Sequence, residues 1–382
     1  MNIAGRAIGP GQTPYVIAEI GVNHDGEVDR ALMLTEAAAD AGADAVKLQL
    51  FETDRLMSKA SKLAAYQKAA GETDPLAMLR RLELSIDQMA PVVDRAHERG
   101  IHAVVSVFSV ELVEVAERLA WDAYKTASPD IINKPLLDAI AATGKPMVVS
   151  TGASDLSEVT RASDWLVHAR SRLAFLQCVS SYPAPTEALG GIRAIAQATL
   201  LPTGYSDHTS SDYTSFAATA AGACLLEKHI TDDPDRSGPD HKASLPLSSM
   251  NVYMSNARKG AHARAAWTEV ADNFGPTDLR KLLKNKDLAH LVQQLTPLAL
   301  SDAVQSKPEK PILDCERDVR EVSRQSLVTT RDLAPGDVIT RADLTIKRPG
   351  TGLPPFKLDD VVGVTVKQTV EADMPLTADD LT

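Results

Sequence analysis

Ser206-Asp207-His208-Thr209 and Glu227-Lys228-His229 bracket a run from Ser211 to Gly222, small and apolar enough for a tightly packed helix. The flanks, Thr203-Gly204-Tyr205-Ser206 and Ala223-Cys224-Leu225-Leu226-Glu227, have the composition of short buried strands. The order strand, histidine, helix, strand, histidine puts both imidazoles at the carboxyl ends of neighbouring parallel strands, where such sheets place their ligand sites. Neighbouring strands lie about 5 Å apart, so His208 and His229 can share one divalent metal. A pair of ordinary hydrogen-bonded histidines is the plainer alternative. The common strand-end position, and an acid beside each (Asp207, Glu227), favours the metal.

Composition sets the frame. A chain of 382 residues suits a large barrel plus a smaller domain. A net charge of −11 argues against nucleic-acid binding, which wants basic patches, but not against an anionic substrate met by local lysines. Cys178, Cys224 and Cys315 are scattered and lack CxxC spacing, which excludes a zinc-thiolate site and fits a reducing cytoplasm. No signal pattern and no run of about 18 apolar residues occurs, so the expectation is a soluble, cytoplasmic protein with no membrane partner.

Outward from the histidines, short Val/Ile/Leu/Ala runs alternate with amphipathic patterns. Strands are expected at Tyr15 to Gly21, Ala45 to Leu50, Ile101 to Val107, Ala123 to Thr126, Pro146 to Thr151 and Arg172 to Val179, with two more carrying the histidines. Helical spacing runs from Asp29 to Ala41, and Ser85-Ile86-Asp87-Gln88 has capping-box form. Eight strands alternating with helices predict a (β/α)8 TIM barrel over residues 1–267, ahead of a doubly wound sheet.

Polar residues inside these apolar strands carry the functional signal. The carboxyl ends bear Glu19, Lys47, Ser106, Lys125, Ser150, Ser180, Ser206 with His208, and Glu227 with His229. A buried lysine or glutamate costs several kcal/mol unless paired, so a whole set at one end points to a site. Lys47 and Lys125 with Ser106, Ser128 and Ser150 suit a phosphate. His208 and His229 with Glu19 and Glu227 suit a metal and proton handling.

Residues 268–318 read as a helical linker, with Leu279, Leu282, Leu283, Leu288, Leu291, Val292 and Leu295 near helical spacing. From there to residue 382, β-branched runs separated by Ala334-Pro335-Gly336-Asp337 and Arg348-Pro349-Gly350-Thr351-Gly352 predict a small β domain.

Several motifs, in order, resemble the bacterial sialic acid synthase family, which makes N-acetylneuraminate, legionaminate and pseudaminate. They are Glu19-Ile20-Gly21-Val22-Asn23-His24-Asp25-Gly26, Ala45-Val46-Lys47-Leu48-Gln49, Ser150-Thr151-Gly152, Ser180-Ser181-Tyr182-Pro183, Tyr205-Ser206-Asp207-His208-Thr209, Glu227-Lys228-His229 and Gly238-Pro239-Asp240-His241-Lys242-Ala243-Ser244. The C-terminal domain resembles the family's antifreeze-like (SAF) module. The resemblance implies condensation of phosphoenolpyruvate with an N-acyl amino sugar, either N-acetylmannosamine or a 2,4-diacetamido-trideoxyhexose. It further implies a divalent metal (Mn²⁺ or Mg²⁺) on His208 and His229, with Glu19, Glu227 and Lys125 in catalysis. Phosphoenolpyruvate would meet Lys47, Ser106, Lys125, Ser128, Ser150, Ser180 and Ser206, and the sugar Tyr182, Asp130, Asp240 and Arg348. In that family the arginine comes from the partner's SAF domain, so a domain-swapped homodimer is expected. The sequence departs from the family pattern at Ser106-Val107-Phe108, at Lys125-Thr126-Ala127-Ser128-Pro129-Asp130 and at Ile230-Thr231-Asp232-Asp233. A metal-dependent aldolase or hydrolase on the same barrel and a non-enzymatic binding protein are the competing readings.

Overall fold

The computed structural model describes residues 1–274, 303 and 306–382. Among these, eight parallel strands close into a barrel: β1 (Tyr15–Gly21), β2 (Ala45–Leu50), β3 (His102–Val107), β4 (Ala123–Thr126), β5 (Met147–Ser150), β6 (Leu173–Cys178), β7 (Thr203–Asp207) and β8 (Leu225–Thr231). Closure comes from β8, which pairs with β1 (Glu227 opposite Ile17) and with β7 (Glu227 opposite Ser206). The doubly wound alternative is thereby excluded.

Side-chain alternation along each strand divides the barrel into layers. Outward-facing Val46, Leu48, Val105, Val149 and Phe175 pack against the helices. Inward-facing Ile17, Ala45, Val104, Ala123, Val148, Leu176 and Leu225 form an apolar plug, closed below by Ile3 and Ile8. Two residues further along the same face stand Glu19, Lys47, Ser106, Lys125, Ser150, Cys178 and Glu227, all buried. The period of two thus lifts the interior from an apolar floor to a polar layer.

Helices follow the expected local chemistry. Helix α1 spans Val28–Asp40, and Gly42 takes the left-handed conformation just beyond it. Helix α2 (Ile86–Glu98) begins with the reciprocal box, in which Gln88 N donates to Ser85 Oγ at 3.2 Å and Ser85 N to Gln88 Oε1 at 2.9 Å. Two elements differ from expectation. The helix between the histidines, Thr214–Ala220, starts later than Ser211, because Thr209 Oγ1 draws Ser211 N and Thr214 Oγ1 into a hydrogen-bonded turn. Strand β8 runs beyond Glu227 because Ile230 pairs with Leu245, so His229 lies within the strand.

The excursion after β2 holds three short helices, Thr53–Leu56, Ala65–Ala69 and Pro75–Leu82, around a cluster of Phe51, Leu56, Met78, Leu79, Leu82 and Phe108. The leucines of 279–295 lie outside the described residues. The C-terminal domain pairs β9 (Ser326–Thr329) with β10 (Leu344–Lys347) antiparallel over a core including Leu327, Ile339, Val366 and Leu376. Val338–Thr365 and Val328–Pro375 meet only as isolated bridges, and Leu358–Val361 forms a short helix.

This domain docks on the barrel of its own chain. Arg348 N donates to Leu56 O at 2.8 Å, Ser58 N to Arg348 O at 3.1 Å and Lys59 N to Asp373 Oδ2 at 2.9 Å. The sequence-based expectation placed Arg348 over a partner's barrel; within this chain it sits over its own. Among the described residues no helix is long and apolar enough to cross a membrane.

Candidate active site

A cleft of about 910 Å³, counting its open mouth, lies at the carboxyl ends of the strands. Lys47, Ser106, Lys125, Ser128, Ser180, Tyr182, His208, Glu227, His229, Asp240 and Arg348 all line it. The remaining sequence candidates lie just behind this wall. Glu19 pairs with Lys47 and accepts from Gln49 Nε2 at 3.0 Å. Ser206 donates to Glu227 Oε1 at 2.8 Å. Ser150 is buried, and its Oγ has no hydrogen-bond partner among the described residues.

The acids partner the lysines, not the histidines, which corrects the grouping read from the sequence. Lys125 Nζ lies 3.0 Å from Glu227 Oε1, and Lys47 Nζ lies 3.6 Å from Glu227 Oε2 and 3.0 Å from Ser106 Oγ. This pairing separates two carboxylates that the sequence treats alike. Burial would raise Glu227, but Lys125 and then Lys47 override it and hold the carboxyl well below its usual range. Glu19 goes the other way: burial, reinforced by the Glu227 charge, raises it against the pull of Lys47. Opposite shifts of this kind distinguish a permanent anion from a group able to carry a proton.

Room for this network depends on Gly21. Its φ is +56°, and a Cβ there would sit 2.8 Å from Glu19 Oε1 and 3.0 Å from Gln49 Nε2. Only glycine fits.

The histidines form a second group. His208 Nδ1 donates to Val179 O at 2.8 Å, so in the neutral ring Nε2 carries the lone pair; Cys178 Sγ lies 3.6 Å from Nδ1 and 4.0 Å from Nε2. The His208 ring stacks on Tyr182 at 4.1 Å between centroids, and Tyr182 continues onto Tyr66 at 4.8 Å. His229 Nδ1 is buried without a hydrogen bond among the described residues and lies 3.7 Å from Asp240 Oδ2. Burial, and next the His208 charge, push His229 well down, so its ring is neutral. The ring centroids stand 5.7 Å apart, within reach of a single ion at the usual metal–nitrogen distance of about 2.1 Å. Among the described residues no group of three or more His, Cys, Asp or Glu forms a metal cluster, so the protein offers two nitrogens. Asp207 is not part of this pair. It faces the outer side of β7 toward Lys228 Nζ (3.2 Å) and Tyr253 Oη (3.1 Å), a structural role set by strand alternation.

Asp130 is buried with Oδ2 unpartnered among the described residues; burial pushes it up to about 7 against Arg348 and Lys125. The Arg348 guanidinium lies 5.9 Å from the Phe108 ring, and its Nε has no hydrogen-bond partner among the described residues. Gln49, Tyr66, Gln67 and Phe108 also line the cleft and were missed from the sequence. Gln49 follows Lys47 by two on one strand face, so alternation was a usable signal. Tyr66 and Gln67 lie in the irregular excursion and carried none.

Residues 34–268 match the model of the NeuB family, and residues 324–382 that of the SAF domain. This chain belongs to the NeuB family. The NeuB-family chain is 31% identical to an N,N'-diacetyllegionaminic acid synthase of Campylobacter jejuni, over 94% of this chain and 97% of that protein. It is 30% identical to the N-acetylneuraminate-9-phosphate synthase of Homo sapiens, over 97% and 93%. In structure it is similar to the spore coat polysaccharide biosynthesis protein SpsE of Bacillus subtilis, with a TM-score of 0.78, 25% identity, and 100% and 99% of the two chains covered.

Proposed function

We propose that this NeuB-family chain condenses phosphoenolpyruvate with the open-chain aldehyde of an N-acyl amino sugar, forming a nine-carbon sialic-acid-type product and inorganic phosphate. The observation that carries this is one cleft lined both by Lys47 and Lys125 with serine hydroxyls and by the His208–His229 pair. Two cations with several hydroxyl donors suit a desolvated phosphate. An aldolase or hydrolase acting without such an anion leaves the lysine side unexplained.

In this reading C3 of phosphoenolpyruvate bonds to the aldehyde carbon, whose oxygen takes up a proton. Water adds at C2, and the C2–O bond to phosphate breaks to leave the ketone. Lys125 and Lys47 hold the phosphate and offset its charge while it departs. Glu227, fixed as an anion beside them, supports positive charge developing at C2. Glu19, with its raised affinity for a proton, orients the water and takes its proton. Tyr182 and Asp240 flank the sugar, and Arg348 Nε, without a hydrogen-bond partner among the described residues, suits the N-acyl carbonyl. His208 Nε2 and His229 Nδ1 would hold Mn²⁺ or Mg²⁺, which supplies Lewis-acid polarisation of the aldehyde.

The decisive experiment measures inorganic phosphate with N-acetylmannosamine and with 2,4-diacetamido-trideoxyhexoses. Release should require phosphoenolpyruvate and one of these sugars together. Release from phosphoenolpyruvate alone, or with none of the sugars giving any, would overturn the reading. Assembly belongs to the same proposal: two copies exchange their C-terminal domains, so that each SAF domain completes the other's site.

A further inference from the structure

Residues 313–325 lead into the SAF domain and cross the mouth of the barrel beside four consecutive strands. Gln325 binds at β3 and β4, donating to Phe108 O at 2.9 Å and accepting from Asn133 Nδ2 at 2.7 Å. Glu316 binds at β5 and β6: its Oε1 accepts from Ala153 N at 2.7 Å and from Ser180 N at 2.8 Å. The Glu316 side chain is buried, and its Oε2 accepts from Leu313 N at 3.0 Å. One carboxylate from outside the barrel thus joins two of the loops that shape the cleft.

A second observation points the same way. Ala153 has a φ of +51°, a left-handed conformation that L side chains resist. Its N–H is held by Glu316, and its carbonyl accepts from Arg320 and Arg324 of the same segment. Next to it, Gly152 N donates to Ser128 Oγ at 3.0 Å. A Cβ on Gly152 would lie 2.2 Å from Ser180 Oγ and 2.8 Å from Ser128 Oγ, so the spacing of these groups allows no slack. Ser128 and Ser180 both line the cleft with Lys125.

We propose that Glu316 is a positioning residue for the phosphate side of the site, clasping Ala153 and Ser180 so that the Ser128 hydroxyl, held by Gly152 N, and the Ser180 hydroxyl present a fixed pair of donors to the anion. It touches no substrate and acts through the two loops. The inference rests on phosphoenolpyruvate being the substrate of this cleft. A misplacement of about 1 Å in such a set can cost up to about a hundredfold.

The test compares Glu316→Ala, Glu316→Asp and Glu316→Gln in the full chain, by calorimetric titration with phosphoenolpyruvate alone and by KM for each substrate. The shortened Asp cannot span both amides, whereas Gln keeps an acceptor of the right length. Ala and Asp should weaken phosphoenolpyruvate binding about ten- to a hundredfold while the sugar KM stays within about threefold; Gln should fall within about fivefold of the parent. Should the Ala protein fail to fold, Asp carries the decision. Parent-like phosphoenolpyruvate affinity in folded Asp, or equal shifts in both KM values, would overturn the clasp. Glu158→Gln serves as comparison: Glu158 grips Arg320 and Arg324 at 2.8 and 2.7 Å but does not touch Ser180, so it should lower Tm without the KM split. If the unmodified chain neither binds phosphoenolpyruvate nor releases phosphate, the functional reading itself falls and takes the clasp with it.

Discussion

Lys125 Nζ reaches Glu227 Oε1 at 3.0 Å across the bore of the barrel, from β4 to β8, strands four places apart in a ring of eight. Lys47 approaches the same carboxylate from β2 but also carries Glu19 and Ser106. The two lysines therefore do unequal work. Replacing Lys125 by Met should raise the KM for phosphoenolpyruvate about ten- to a hundredfold, the loss of a charge-assisted hydrogen bond worth about 1.5–3 kcal/mol, with the sugar KM nearly unchanged. Lys47→Met should in addition lower stability in urea by about 3–5 kcal/mol, because it strips buried Glu19 of its cation. Equal changes in both KM values for Lys125→Met would make that lysine structural.

Asp130 supplies a pH signature. Its carboxyl titrates near 3.8 when free and at about 7 in the fold, so the folded state binds the extra proton. The stability this gives is fully present below pH 3.8 and is lost as pH rises through 7. Between pH 5.5 and 8.5 the native chain should lose about 2 kcal/mol that Asp130→Asn does not lose. Thermal melts of both proteins at the two pH values measure it. A difference in Tm that is the same at both would show that Asp130 titrates elsewhere.

The histidine pair predicts metal dependence readable without turnover. Mn²⁺ titrated into chelator-stripped protein, followed by electron paramagnetic resonance, should show one bound ion per chain. His208→Ala and His229→Ala should each weaken it by at least about tenfold, since each removes half of the protein's nitrogen donors. Undiminished Mn²⁺ binding in both variants would place the ion elsewhere.

Strand periodicity made the barrel legible, because Ile17 to Glu19, Ala45 to Lys47, Val104 to Ser106 and Ala123 to Lys125 each step two residues along an inward face. The same rule brought the polar layer together in advance. Which acid serves which cation was not legible. Asp207 directly precedes His208 and Glu227 stands two residues before His229, so alternation turns Asp207 outward and Glu227 inward, but it does not say that their partners are Lys228 and Lys125. Glu316 was invisible for a different reason. It lies in an aperiodic segment, and its partners are backbone amides, which leave no mark on side-chain pattern.

Assembly gives the last prediction. Arg348 is fastened to the excursion after β2 through Leu56 O and the Ser58 and Ser61 hydroxyls, which donate to Arg348 O at 2.6 and 3.1 Å. These contacts are equally available to the C-terminal domain of a second copy. Residues 275–302 separate the barrel from the cap, and a chain of that length can span up to about 90 Å. Consider Glu19→Ala, disabled in the barrel, and Arg348→Ala, disabled in the cap. If the cap serves the partner, a mixed dimer holds one site with both defects and one with neither. Random assortment makes half the dimers mixed, each with one sound site of two, so co-refolded equal amounts should recover about a quarter of parental activity. If subunit exchange is verified by mass and the mixture stays as inactive as its components, the cap acts on its own barrel, in the arrangement seen within the single chain.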